Sequence, residues 1–199
     1  IEPRSFEVIN PATEEPCAEI SLGGKKDVDA AVTSAKKAFE TWGFTTKEER
    51  LNLFEKLYEI YKNNWNQMAK TISLEMGAPI DFSTELQTKT GASHIKSFKN
   101  ILKNFKFEKT LDEEKNQTIL YEPKGVCALI TPWNWPINQV NLKVIPALAA
   151  GCTVVLKPSE IAPLSSMLLA EMMHDAGFPK GVFNLVNGDG AVTGDVLTS

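Results

Sequence analysis

Val126-Cys127-Ala128-Leu129-Ile130-Thr131-Pro132-Trp133-Asn134-Trp135-Pro136 joins a short, wholly apolar run to a loop with two prolines, two tryptophans and one asparagine. Five apolar residues bounded by turn-forming residues have the length of a buried strand. Proline fixes φ and removes a backbone donor, so the loop that follows is stiff. The tryptophans offer large apolar bodies to anchor it against the core. Asn134 is left to do polar chemistry, with an acceptor oxygen and two N–H donors. Two more apolar runs lie downstream, Thr153-Val154-Val155-Leu156 and Val182-Phe183-Asn184-Leu185-Val186. Helical stretches separate the three runs. Residues 137–150 carry Val140, Val144 and Leu148 at helical spacing and end at Gly151. Residues 163–176 have proline in the first turn and Gly177 just past the end, the asymmetry expected of helix termini. Short apolar runs alternating with helices predict parallel strands covered on both faces, a βαβαβ unit with right-handed crossovers.

Upstream the pattern differs. The first residue, Ile1, is not methionine, and we expect a processed or trimmed piece of a longer chain. Phe6-Glu7-Val8-Ile9 alternates like a strand, Asn10-Pro11-Ala12-Thr13 reads as a turn, and Ala18-Glu19-Ile20 as the return of a hairpin. A helix is predicted over 27–42, ended by Gly43. Thr46-Lys47-Glu48-Glu49 has the capping-box pattern and opens a second helix with Leu51, Phe54, Leu57, Tyr58 and Tyr61 in its apolar stripe. Asn63-Asn64 breaks it, a third helix runs over 65–76, and after Gly77-Ala78-Pro79 another runs over 80–104. Residues 106–107 and 118–121 read as the strands of an exposed hairpin, with a polar turn over 109–116 between them.

Composition narrows the function classes. The 199 residues are 43% hydrophobic and 23% charged, the balance of an ordinary soluble globular protein, and suffice for one sizeable domain or a domain with an appendage. Net charge is −4, with no block of like charges, which points away from nucleic acid. The densest basic stretch, 96–106, is interrupted by Phe98, Ile101, Leu102 and Phe105 and reads as the solvated face of an amphipathic helix. No run approaches the length of a membrane span, and no secretory signal segment opens the chain. Three cysteines, Cys17, Cys127 and Cys152, are few, odd in number and far apart, which fits a reducing, cytoplasmic setting rather than a disulfide framework. Two separated histidines, His94 and His174, support no metal site.

In open parallel α/β sheets, ligands bind beyond the carboxyl ends of the strands. The first run empties into 131–134, the second into Lys157-Pro158-Ser159-Glu160, and the third into Asn187-Gly188-Asp189-Gly190-Ala191-Val192-Thr193-Gly194. All three polar, Pro/Gly-rich loops are therefore expected on one edge, which suits a nucleotide-like ligand. Lys157 supplies a cation with three donors. Glu160 is an acceptor suited to a pair of sugar hydroxyls, and its carboxylate disfavours a 2′-phosphate, which leans toward NAD over NADP. Gly190 and Gly194 would let backbone approach a ligand at a helix start. The alternative for Lys157 and Glu160 is a surface salt bridge worth roughly 0–1 kcal/mol. No G-x-G-x-x-G fingerprint is present.

Residues 131–136, Leu156-Lys157-Pro158-Ser159-Glu160 and Phe183-Asn184-Leu185-Val186-Asn187-Gly188-Asp189-Gly190, in this order and spacing, resemble the aldehyde dehydrogenase superfamily, and the resemblance covers nearly the whole chain. It implies N-terminal helices plus part of a doubly wound, Rossmann-like parallel sheet in an α/β fold. Residues 1–104 and 124–199 would form an incomplete NAD-binding domain, and 105–123 a bridging hairpin used in dimer or tetramer formation. Family members oxidise an aldehyde through a cysteine thiolate, a thiohemiacetal, hydride transfer to NAD(P) and hydrolysis of the thioester. Asn134 matches the asparagine whose side-chain N–H holds the oxyanion of the tetrahedral intermediate. Lys157 and Glu160 match the pair that binds the adenosine ribose, with Ser159 between them in the same motif. Thr131, Pro132, Trp133 and Asn134 match the loop lining the cofactor cleft, and Gly190 and Gly194 the turn and helix start beside the adenine and phosphates. Trp135, Gln139 and Val140 are candidates for the near wall of the substrate tunnel, with core packing the equal alternative for Trp135.

The resemblance also implies what is missing. Family members are more than twice as long, and the absent part carries the second glycine motif, the glutamate base, the nucleophilic cysteine and the catalytic domain. None of the three cysteines present matches the nucleophile, and Cys127 lies in an apolar strand where burial makes a thiol inert. We therefore expect residues 1–199 alone to be catalytically inactive and, with an open sheet edge, to self-associate. Three readings follow: the N-terminal portion of an aldehyde dehydrogenase, a truncated product without activity, or a nucleotide-binding or assembly module that keeps the ribose site.

Overall fold

The computed structural model describes residues 4–112, 114 and 116–199. Ile1 and, in the polar turn, Glu113 and Lys115 lie outside the described residues. The chain opens with an antiparallel hairpin, β1 (Arg4–Asn10) and β2 (Glu15–Leu22). Asn10 makes its turn, because its Oδ1 accepts the N–H of Ala12 at 2.9 Å and its carbonyl accepts those of Thr13 and Glu14. Then come α1 (Lys25–Trp42), α2 (Lys47–Asn63) and α3 (Trp65–Met76). The capping box at α2 is formed: Thr46 Oγ1 accepts the Glu49 N–H at 3.2 Å, and the Glu49 carboxylate accepts the Thr46 N–H at 2.7 Å. Gly77 closes α3 in the left-handed conformation, φ +73°.

The predicted helix over 80–104 is present, but it is not uniform. A short α4 (Ile80–Phe82) runs into a π-helical turn, Ser83–Thr88, and then into α5 (Lys89–Asn104). Two side chains bond backbone carbonyls at the end of this turn and just after it: the Tyr61 hydroxyl donates to Thr88 O and Asn141 Nδ2 to Gly91 O, each at 3.0 Å. Both donors are fully buried.

The second hairpin is shifted from the sequence expectation. Its strands are β3 (Glu108–Asp112) and β4 (Gln117–Leu120), so part of the stretch expected to turn is strand and 106–107 is linker. Aromatic packing explains the shift: Phe105 meets both Phe107 and Tyr121, at 4.9 and 5.4 Å between centroids. Those rings hold 105–107 against the end of the hairpin, and the pairing starts one residue later.

The βαβαβ unit follows as β5 (Val126–Ile130), α6 (Pro136–Ala149), β6 (Thr153–Lys157), α7 (Leu164–Asp175) and β7 (Phe183–Leu185), then a π-helical turn (Gly190–Gly194) and a short α8 (Asp195–Thr198). The strands pair in parallel, in the order β5-β6-β7. The third run is shorter than its sequence suggests. Only β6 is buried throughout; Ile130 on β5 is 41% exposed, so the expectation of two covered faces holds for the central strand and not for its neighbours. Val155 of β6 packs with Val28 and Ala35 of α1, whereas Val154 and Leu156 belong to the large core shared with α2, α5, α6 and α7. The indole N–H of Trp42 donates to Cys152 O at 3.0 Å and fastens the end of α1 to the start of β6. Arg50 is buried and donates to Ala149 O and Thr45 O, each at 2.8 Å, which joins α2 to the end of α6. No helix of the described residues is long and apolar enough to cross a membrane.

Candidate active site

Parallel pairing sends all three strand-ending loops to one edge, and backbone bonds tie them together. Thr131 N donates to Lys157 O at 3.2 Å, joining the first loop to the second strand, and Val186 N donates to Leu156 O at 2.9 Å, joining the third. The Lys157 ammonium then crosses to Gly188 O at 2.7 Å. The sequence-predicted residues thus come together at one place.

The first loop is open. Asn134 is exposed, and its side chain makes no hydrogen bond among the described residues. Trp135 packs edge-on against Phe82 of α4, 5.5 Å between centroids. Trp133, expected to anchor the loop, is 49% exposed. It stands beyond the β5–β6 ladder, where none of the described residues forms a layer over it. Thr131 is buried, and its hydroxyl has no partner among the described residues.

The second loop is closed on itself. Lys157 is buried, and its three donors are all engaged, with Pro158 O at 3.0 Å, Gly188 O at 2.7 Å and Glu160 Oε2 at 3.4 Å. It is a strut rather than the free surface cation that its sequence position suggests, and its ion pair with Glu160 is formed but part-buried rather than at the surface. Glu160 stays partly exposed with one oxygen uncommitted. Ser159 turns inward: it is buried, and its Oγ accepts the Ile161 N–H at 3.3 Å, so it shapes the loop and does not line its surface.

In the third loop, the Asp189 side chain accepts the Val192 N–H at 2.7 Å and pairs with Arg4. Those interactions, the Val192 bond foremost, hold its carboxyl below the usual aspartate range. A Cβ added at Gly190 would meet nothing, so this backbone is open to a ligand. A Cβ added at Gly194 would make ordinary contact with the Lys157 stem, 3.9 Å from its Cε. The glycine that the fold itself demands is Gly188, where a Cβ would fall 1.8 Å from Thr193 Oγ1. The Thr193 hydroxyl in turn donates to Gly23 O at 2.5 Å, and Gly23 N donates to Asn187 O at 2.7 Å. This tie to the β2–α1 corner was not foreseen. Its signal in the sequence is the glycine pair Gly23-Gly24 just before a helix.

The cysteines stand apart from this edge. Cys152 precedes β6 at the opposite, amino end of the strands. Burial, with the neighbouring Cys152 thiol, pushes Cys127 up to about 11, and burial also raises Cys17. The described residues contain no cluster of three or more side chains able to hold a metal ion. An orphaned Thr131 hydroxyl, an uncommitted Glu160 oxygen and the open backbone at Gly190 fit a sugar-bearing dinucleotide along this edge.

Comparison with known proteins agrees. The chain is 49% identical over 197 residues to a 3-succinoylsemialdehyde-pyridine dehydrogenase from a Pseudomonas species, covering 98% of this chain and 41% of that protein. Among solved structures, an aldehyde dehydrogenase from Bartonella henselae superposes with a TM-score of 0.96 at 57% identity, over 98% of this chain and 41% of that one. An aldehyde dehydrogenase from Pseudomonas syringae, solved as a mutant with NAD+ and octanal, superposes with a TM-score of 0.95 at 46% identity, over 98% and 40%. The chain therefore spans about 40% of the length of these relatives, corresponding to an N-terminal portion. The aldehyde dehydrogenase family matches over residues 1–199, and the chain belongs to that family.

Proposed function

We propose that residues 1–199 are the nucleotide-binding and oxyanion-holding portion of an NAD-dependent aldehyde dehydrogenase that oxidises an aldehyde to a carboxylic acid. The observation that carries this reading is the convergence of a free Asn134 and a partly exposed Glu160 on one sheet edge. Glu160 accepts the ribose hydroxyls while Lys157, held by two carbonyls, keeps the loop in shape. The same carboxylate repels a 2′-phosphate, which selects NAD over NADP. When bound, the nicotinamide cofactor supplies the hydride acceptor. Asn134 Nδ2 donates to the aldehyde oxygen as it gains negative charge, and a donor already in place costs no reorganisation at that moment. Trp135, braced by Phe82, fixes where Asn134 leaves the sheet. Nucleophile and base lie outside these residues in this reading. Residues 124–199 with 1–104 act as the NAD domain, residues 105–123 as a contact between protomers of a cytoplasmic dimer or tetramer.

Aldehyde-dependent formation of NADH by the full-length protein, followed by absorbance, tests the reading, and its absence with a panel of aliphatic and aromatic aldehydes overturns it. For residues 1–199 in isolation a second reading applies, a nucleotide-binding module without turnover. It is favoured because the Lys157–Glu160 loop is complete here while every cysteine lies away from Asn134. NAD binding by this segment, lost in Glu160→Ala, would support it.

A further inference from the structure

Glu75 occupies the last turn of α3, two residues before the helix-ending Gly77, and is 1% exposed. A carboxylate there opposes its own helix, because it adds to the negative end of the dipole. Its partners lie elsewhere. The carboxylate accepts the backbone N–H of Leu164 and, at 3.1 Å, that of Ser165. These are the first two residues of α7, whose N-cap position is Pro163, a residue with no side-chain acceptor to offer. Glu75 is thus the missing cap of α7, delivered from another helix. The segment it caps is the far end of the ribose loop: Glu160 is four residues before Leu164. At the near end the loop is fixed by β6 and the Lys157 ammonium.

We propose that Glu75 is a positioning residue for the dinucleotide: by clamping the first turn of α7 it fixes where the Glu160 carboxylate stands. The proposal rests on the nucleotide reading above. It makes NAD affinity depend on the charge of a side chain that never touches NAD. An ionised carboxylate offers two acceptor oxygens at a positive helix end; a protonated one turns one of them into a hydroxyl and removes the charge. Burial pushes the Glu75 carboxyl up to about 7, against the opposing pull of the Ser165 and Leu164 donors. Ser165 faces it from α7, and Cys17 from β2 is the titratable neighbour whose thiol feels its charge. No lysine, arginine or histidine among the described residues contributes to the shift.

The test is NAD titration by calorimetry on the full-length protein across about pH 6 to 8, with Glu75→Gln alongside. Glutamine keeps the size and one carbonyl acceptor and does not titrate. In the native protein Kd should rise about three- to tenfold as pH falls through 7, and in Glu75→Gln it should stay level at the weaker value. Should Glu75→Gln fail to fold, amide exchange of Leu164 and Ser165 in the native protein decides, with loss of protection expected on the acid side once the intrinsic pH dependence of exchange is corrected. A native Kd that is level across the range overturns the positioning role, as does a Glu75→Gln slope equal to the native one, or unchanged protection at both amides. Absence of NAD binding at every pH overturns the nucleotide reading, and this proposal with it.

Discussion

The loops that leave β5 and β6 start side by side and end in opposite conditions. After β5, Asn134 projects without a partner and Trp133 is half exposed. After β6, Lys157 is buried with every donor engaged, Ser159 is folded inward, and Glu75 clamps the helix beyond. Under the proposed function, the group that would meet charge as it develops is kept free, whereas the loop that would carry the ribose site is held by its neighbours, with only Glu160 left partly exposed.

The sharpest way to break that division is to remove either side. Asn134→Ala in the full-length protein should cut turnover about 100- to 1000-fold while NAD affinity moves less than about threefold. Unchanged turnover would take Asn134 out of the oxyanion role. Lys157→Ala should do two things at once. It leaves Pro158 O and Gly188 O without their donor in a buried place and should cost about 1–3 kcal/mol of stability, read by chemical denaturation, in addition to weakening NAD. Glu160→Ala, by contrast, should weaken NAD while stability stays within about 0.5 kcal/mol, because its side chain is partly exposed and Lys157 keeps its two carbonyl acceptors. Equal stability losses in the two variants would mean that the β6 loop is not divided between strut and binder. Asp189→Ala removes the acceptor for Val192 N and should cost about 1 kcal/mol. Because the folded Asp189 carboxyl is held low, its contribution is present above the ordinary aspartate range and lost as pH falls through the folded value; the native–variant difference should close in acid. The smallest effect concerns Glu75. Its carboxyl is raised on folding because burial penalises the charge more than the α7 bonds offset, so global stability falls as pH rises through about 7 even as the ionised carboxylate tightens its hold on Leu164 and Ser165; the melting temperature of Glu75→Gln should vary less over that window.

Much of this arrangement was legible in the sequence for a plain reason. The β5, β6 and β7 runs are apolar and short, the helices between them have the right ends, and parallel pairing then forces their loops to one edge. The identities of Asn134, Lys157 and Glu160 could be read because each stands at a fixed distance from a strand end. Their states could not. That Lys157 is a strut depends on Gly188 O arriving from a loop 31 residues later, and periodicity carries no information about such a meeting. Glu75 was hidden for the same reason: in its own helix it is simply a badly placed acid, and only α7 reveals its use. Sequence points to Gly190 and not to Gly188, since the demand for a missing Cβ at Gly188 comes from Thr193 folding back, not from the local turn. The β3–β4 hairpin departs from its sequence pattern because three aromatic rings outweigh the polar, turn-like look of 109–112.

The π-helical turn at Ser83–Thr88 has a consequence for how this chain tolerates change in length. Such a turn is an α-helix that has absorbed one residue beyond its pitch, with the helix on either side left in phase. Deleting a single residue within 83–88 should restore a regular helix and still leave Phe82 against Trp135 and Ile95 in the core. The same deletion in the middle of α2 or α6 would rotate half of a buried stripe by about 100° and expel it. The price at 83–88 would fall instead on Tyr61 and Asn141, whose polar atoms would lose the carbonyls they now hold.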